Sequence, residues 1–244
     1  MDLSTPRALG PTPGELIPLC LRVPRWRPGL PKSHLGAPHS EVFASANEAS
    51  GAALSLALAL DGLPQERIGQ RHVLWVQDKA SLRLNGRPYR PGLPAALRGR
   101  VIHVCAAKPE DALFALEEGV RCRELACVIG EIAGNPKALD FTASRRLTLA
   151  AEKHGVPLLL VRHDAARDLS SARMRWQARA APSLPPRWNA AAPGSPAWHA
   201  ELFRAREHAP GEWILRDDEN LLAADAPDHG DLAGAAGGRS LAAG

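Results

Sequence analysis

The chain has 244 residues, 45% of them apolar, which is enough for one large buried core, and its formal net charge is +4. The longest apolar run, residues 51–60, falls short of the roughly 18 residues a membrane span needs. Asp2 and several prolines precede any apolar run, so no signal peptide is expected and the expected location is cytoplasmic.

Charge is uneven along the chain. From Asp217 onward six acids face one base, Arg239, so this tail carries −5 and residues 1–216 carry +9. A basic body suits a nucleic-acid or acidic-protein partner, and equally a solvated arginine-rich surface.

Eight prolines interrupt residues 1–38, each removing a donor and fixing φ, so this stretch reads as a proline-rich N-terminal arm. Residues 41–44 form a short strand, followed by a Ser/Asn/Glu turn and an apolar helix over 50–60. A strand over 72–77, a proline-rich loop and a short strand over 101–104 come next. Pro109 opens a helix in which Leu113, Leu116 and Val120 recur at helical spacing, with Glu110 and Asp111 favourable in its first turn. Residues 125–129 read as a fully apolar strand, Thr142 as the N-cap of a helix ending at Gly155, and 156–161 as another apolar strand.

Strands that lack alternation are buried on both faces, which implies parallel strands covered by helices. After Arg167 the pattern alternates, in 172–179, 198–204 and 212–215, and predicts antiparallel strands. The predicted fold is therefore α/β, a mainly parallel sheet flanked by helices with antiparallel strands added toward the C-terminus. The main domain spans 39–220, and residues 221–244 form an acidic tail too poor in large apolar residues to order itself.

In such a fold nucleotides bind at the first strand-to-helix turn. A phosphate loop needs G-x-x-x-x-G-K-[ST], in which glycines open the backbone to the phosphates, lysine neutralises them and a hydroxyl holds magnesium. Here Gly51 remains, but Ala46 stands for the first glycine, Ala52 for the lysine and Ala53 for the hydroxyl residue. Glu48 adds negative charge where a triphosphate would lie. The acid that would orient magnesium is also missing: Gly130 occupies its expected position, with Glu131 one residue away. Asp78 reads as a turn residue, although Lys79 stands near where a base for activating water is wanted. No cofactor and no catalytic residue are expected.

Other chemistries are not signalled. Cys20, Cys105, Cys122 and Cys127 form no C-x-x-C pair and have no companion histidines at zinc-ligand spacing; Cys105 and Cys127 lie in apolar runs and read as core residues. No G-x-S-x-G, H-E-x-x-H or dinucleotide motif occurs, and His163-Asp164 reads as a loop-forming pair.

Five segments in order carry a family resemblance: HSEVFASANEASGAALSLALAL, HVLWVQD, ALFALEEGVRCRELACVIGEI, LDFTASRRLTLAAEKHGVPLLLVR with SARMRWQARAAPS, and WHAELFRAREHAPGEWILRDDEN. Together they span about 35–220 and resemble the ImuA proteins of bacterial mutagenesis operons, which are similar to RecA in fold. The resemblance implies a RecA-like domain with a degenerate nucleotide loop. It also implies a role in SOS-induced, error-prone translesion synthesis, with no catalytic residue to carry over. The implied partners are RecA or the RecA–DNA filament, ImuB (an inactive Y-family polymerase homologue) and, indirectly, an error-prone C-family polymerase. A SulA-like cell-division inhibitor is the alternative, although such proteins are shorter and lack the arginine–tryptophan section that ends this domain.

That section holds Arg173, Arg175, Trp176, Arg179, Arg204, Arg206 and Trp213, the candidate partner-contact residues. Arginine beside tryptophan is the composition of binding hot spots and also suits single-stranded DNA. The bland reading places Trp176 and Trp213 in the core with the arginines solvated outside.

Overall fold

The computed structural model describes residues 39–225 apart from 184, 187, 188, 190, 207, 208, 219 and 220. The expected N-terminal arm, Cys20 and the last 19 residues of the tail lie outside the described residues.

The chain runs β1 (His39–Ala44), α1 (Ser50–Gly62), α2 (Gln65–Gln70), β2 (His72–Asp78), α3 (Lys79–Asn85), β3 (Val101–Ala106), α4 (Pro109–Arg121), β4 (Leu125–Ala133), α5 (Phe141–His154), β5 (Leu158–His163), β6 (Met174–Ala181), β7 (Ala197–Ala205), β8 (Gly211–Asp218) and β9 (Leu221–Asp225). One sheet holds all nine strands in the order β3-β2-β4-β5-β1-β6-β7-β8-β9. The pairs from β3 to β6 are parallel and those from β6 to β9 antiparallel. This is the expected α/β architecture, a RecA-like sheet flanked by helices with an antiparallel extension.

Alternate side chains of the parallel strands feed two cores. Leu74, Val76, Val128, Leu158 and Leu160 pack with α4 and α5, whereas Val73, Trp75, Cys127, Ile129 and Val161 pack on the face of α1 and α2. A third cluster joins α1 to the extension through Val42, Leu54, Trp176, Trp198, Leu202 and Leu215. No helix among the described residues is long and apolar enough to cross a membrane.

Several expectations need correction. The strand beginning near 172 is parallel to β1 and antiparallel only to β7, because the crossover 164–173 carries the chain past β1 without a helix. The cap of α5 is Asp140, whose carboxylate accepts from the Ala143 amide at 2.7 Å, and not Thr142, which lies inside the helix. Strand β4 runs to Ala133 and β5 to His163, beyond their apolar cores, because polar side chains near their ends are buried against one another. The proline-rich loop contains α3, capped by Asp78 through the Ser81 amide at 2.7 Å. The sheet also continues past residue 220: β9 pairs with β8, and Leu222 is buried with the cluster under α1. Cys105 is exposed because β3 is an edge strand, which leaves it no second neighbour to cover it.

Strand β1 is buried over its whole length, including its polar His39, Ser40 and Glu41. Glu41 is held from both sides. Arg175 of β6 donates Nε to Oε2 at 2.8 Å, the Ser170 hydroxyl of the crossover donates to Oε1 at 2.8 Å, and Arg162 Nη1 of β5 lies 3.8 Å from Oε1. Both guanidinia lie over the Phe43 ring, which meets Phe203 of β7 edge-on at 5.7 Å.

Substituting Glu41→Gln leaves two buried guanidinia without their carboxylate. The expected loss is about 3–5 kcal/mol in denaturant unfolding, against about 1 kcal/mol or less for removing the exposed Arg121–Glu118 pair. Equal losses for the two variants would contradict this.

Candidate functional site

The turn where a nucleotide would sit, residues 45–49 between β1 and α1, is closed by the protein's own carboxylates. The Ala46 amide donates to Asp164 Oδ1 at 3.1 Å, and Glu48 Oε2 accepts from the Ala180 amide of β6 at 2.7 Å. Asp164 follows β5 directly and has a left-handed backbone, φ 48°. A backbone N–H that could face a phosphate therefore already faces a carboxylate.

Gly51 has a packing role here. A Cβ at that position would lie 2.7 Å from the Ala44 Cβ and 2.9 Å from Val161 Cγ1, so the glycine lets α1 sit close on β1 and β5. Ala52 and Ala53 follow it in the first turn of α1, with no ammonium or hydroxyl to meet a phosphate or magnesium.

Gly130, the position expected to have lost the acid, faces the other way. A Cβ there would meet Leu116 of α4 at 2.8 Å and Leu160 at 3.1 Å, on the face opposite the turn. The acid on the turn's face is Glu131, in step with Cys127 and Ile129 of β4. It is 2% exposed and surrounded by protein donors. Oε1 accepts from Trp75 Nε1 at 2.6 Å and from Gln77 Nε2 at 3.1 Å; Oε2 lies 2.9 Å from His163 Nε2 and 3.4 Å from Asn85 Nδ2.

Gln77 also gives its amide N–H to the Gly86 carbonyl, so its oxygen accepts from His103 Nε2 at 2.8 Å. Burial, followed by the nearby Arg87 charge, lowers the His103 pKa and favours this neutral donor form. The result is a connected polar cluster with both carboxylate oxygens engaged. Neither Glu131 nor the turn fits a magnesium–triphosphate complex.

His163 is thus a buried strand-end residue and not half of a loop pair. Its Nδ1 and the Ser50 hydroxyl are buried polar atoms without a protein partner. Sequence reasoning missed the contact between Glu131 and His163 because they lie 32 residues apart on neighbouring strands. The available signal was period two, which puts 129, 131 and 159, 161, 163 on one face.

The candidate partner-contact residues separate into two groups. Arg175 is 3% exposed and committed to Glu41, and Trp176 is 1% exposed and packs near Trp213 with ring centroids 6.2 Å apart. Neither presents an accessible surface, and Trp213 is half-buried. Arg179, Arg204 and Arg206 are exposed, and half-buried Arg173 is paired with Glu152 of α5. Arg173, Arg204 and Arg206 converge on one cleft beside Phe141.

No family model matches the chain. The ImuA proteins of two strains of Caulobacter vibrioides are each 33% identical over 235 residues, covering 86% of this chain and 88% of the relative. The chain belongs to the ImuA family. The segments that carried the resemblance fall on β1 with α1, on β2, on the run from α4 to β6, and on β7 with β8. In this member of the family the turn after β1 is a packed, carboxylate-closed connection.

A second buried histidine, His39, lies at the opposite, amino-terminal end of the central parallel strands. Thr148 uses its proton on the Ser144 carbonyl, so His39 Nδ1 donates to Thr148 Oγ1 at 2.7 Å and leaves Nε2 a buried, unpartnered acceptor. Burial pushes its pKa down to about 4, opposed by Glu41.

Glu131→Leu deprives Trp75, Gln77 and His163 of their acceptor, and the expected destabilisation is about 2–4 kcal/mol by denaturant unfolding. A variant as stable as the parent would mean the cluster contributes nothing. For His39, the unfolded chain takes its proton near 6.5 and the fold only near 4, so the unfolded state binds more protons between those values. Stability is fully present above pH 6.5 and falls as the pH drops toward 4. Between pH 7 and 4.5 the parent should lose on the order of 2 kcal/mol more than His39→Gln, whereas parallel pH profiles would count against this origin.

Proposed function

We propose that this protein is a non-enzymatic accessory factor of damage-inducible mutagenesis, specifically of SOS-induced error-prone translesion DNA synthesis. It works by protein contact. Its partners on this reading are RecA or the RecA–DNA filament and an ImuB-type inactive polymerase homologue, with an error-prone C-family polymerase reached indirectly through the latter.

The observation that carries this reading is the state of the nucleotide turn in a member of the ImuA family. The loop lacks lysine and hydroxyl, its amide is taken by Asp164, and the nearest acid is saturated by Trp75, Gln77 and His163. Phosphoryl transfer depends on positioning and charge neutralisation of the phosphates, and these residues supply neither. A rigid α/β body without that chemistry still offers fixed surfaces to other proteins.

The decisive experiment is co-sedimentation of the purified protein with RecA filaments on single-stranded DNA and, separately, with purified ImuB-type protein. Naked DNA and labelled ATP are run alongside. Association with filaments or with the ImuB-type protein, and no saturable ATP binding, is expected. Saturable ATP binding with turnover lost in Glu131→Gln would replace the adaptor by an ATPase, and association with neither protein would remove the adaptor reading.

A further inference from the structure

We propose that the cleft between α5 and the paired ends of β6 and β7 binds an acidic protein segment that carries a large apolar side chain. The cleft has a volume of about 380 Å³, and its wall includes Phe141, Ser170, Arg173, Arg204 and Arg206. Arg206 extends the β6–β7 pairing by donating its amide to the Arg173 carbonyl at 3.0 Å, so the backbones that carry these arginines are fixed relative to each other.

The floor is equally fixed. The Ser171 amide donates to the Ser144 hydroxyl of α5 at 2.9 Å, Ser144 and Ser170 share a 2.9 Å hydrogen bond, and Ser170 reaches Glu41 in the core. A preorganised floor reduces the ordering a ligand must impose.

Charge decides the sign of the occupant. Arg173 shares Glu152, but among the described residues neither Arg204 nor Arg206 has a carboxylate at ion-pair distance. Arg145, exposed on the outer face of α5, has none either.

Apolar exposure decides the class. Phe141 is 43% exposed and Leu149 51%; together with Arg145 between them they form an i, i+4, i+8 stripe along α5. Leu169, in the crossover just before the cleft residue Ser170, is 67% exposed. Exposed aliphatic side chains beside arginines match a protein partner, with an apolar anchor in a pocket and guanidinia pairing carboxylates around it. Single-stranded nucleic acid calls for successive aromatic platforms along a groove, and this cleft has one ring. The proposal deepens the adaptor reading and rests on it only in taking the occupant to be protein.

The test uses the full chain and fluorescence anisotropy with three labelled probes. These are a synthetic peptide of aspartate and glutamate interspersed with leucine and phenylalanine, the same peptide with serine at its apolar positions, and an oligothymidylate of equal charge. The acidic apolar peptide should bind best, with affinity reduced about tenfold in Arg204→Glu/Arg206→Glu and several-fold in Phe141→Ser. The serine peptide should be weaker by a similar several-fold factor. The altered side chains are exposed, so thermal unfolding should be unchanged; Arg204→Gln/Arg206→Gln serves as a milder variant if the reversal unfolds the protein.

Oligothymidylate binding as tight as the peptide, and lost in the same variants, would make the cleft a nucleic-acid surface and overturn the proposal. Equal peptide affinity in parent and variants would overturn it too. A tenfold gain on deleting residues 226–244 would assign the cleft to the chain's own tail instead. Peptide binding that persists while RecA and ImuB-type proteins fail to associate sinks the adaptor reading alone, and the converse sinks this one alone.

Discussion

The structure depends on one buried carboxylate. Glu41 lies in β1, which is covered on both faces and flanked by parallel strands on both sides, so its charge has no route to water. A carboxylate in that position is tolerable only if cations and hydrogen bonds replace its solvation. Arg162 comes from the strand on one side, Arg175 from the strand on the other and Ser170 from the crossover above. Because the three contacts come from different elements, satisfying one charge fixes the parallel body, the crossover and the antiparallel extension relative to one another. Phe43 and Phe203 complete the arrangement by giving the guanidinia aromatic faces to lie on.

The same logic accounts for the carboxyl edge of the sheet. In open α/β sheets ligands bind outside the carboxyl ends of the strands, and this chain places a buried acid, a histidine and a backbone amide at that edge. The difference is that they serve each other: Glu131 is taken up by Trp75, Gln77 and His163, and Asp164 takes the amide of the turn. Both oxygens of the buried Glu131 carboxylate are engaged, and a buried hydrogen-bonded network of this kind favours a unique arrangement. The turn after β1 and the acid beside it are thus engaged by the protein's own side chains.

Exposed Arg145 of α5, Arg204 of β7 and Arg206 just after it are among the accessible charges. Two arginines at the start of β6 show how finely the surface is divided. Arg173, just before the strand, reaches the cleft, whereas Arg175, two residues on, is drawn inward to Glu41. Both are arginines in the same alternating segment, but Arg173 pairs with Glu152 of α5 at the surface and Arg175 with Glu41 in the core.

What the sequence determined by itself was the kind of element and the kind of fold. Unbroken apolar runs in β4 and β5, the proline that opens α4 and the glycine that ends α5 are local signals, because burial on two faces, a missing N–H and a left-handed residue are local demands. The absence of lysine and hydroxyl from the first turn was equally legible, being a matter of residue identity. Register across strands was not. It decided that Glu131 and not Gly130 faces the turn, that β6 runs parallel to β1, that Leu222 belongs to the sheet, and that Arg175 and Trp176 are interior while Arg204 and Arg206 are accessible. Each depends on partners tens of residues away in the chain, and a shift of one residue would turn the same side chains to the opposite face. Local chemistry is written along the chain, but which charges meet in the core, and which are left to meet another molecule, is decided only when the strands pair.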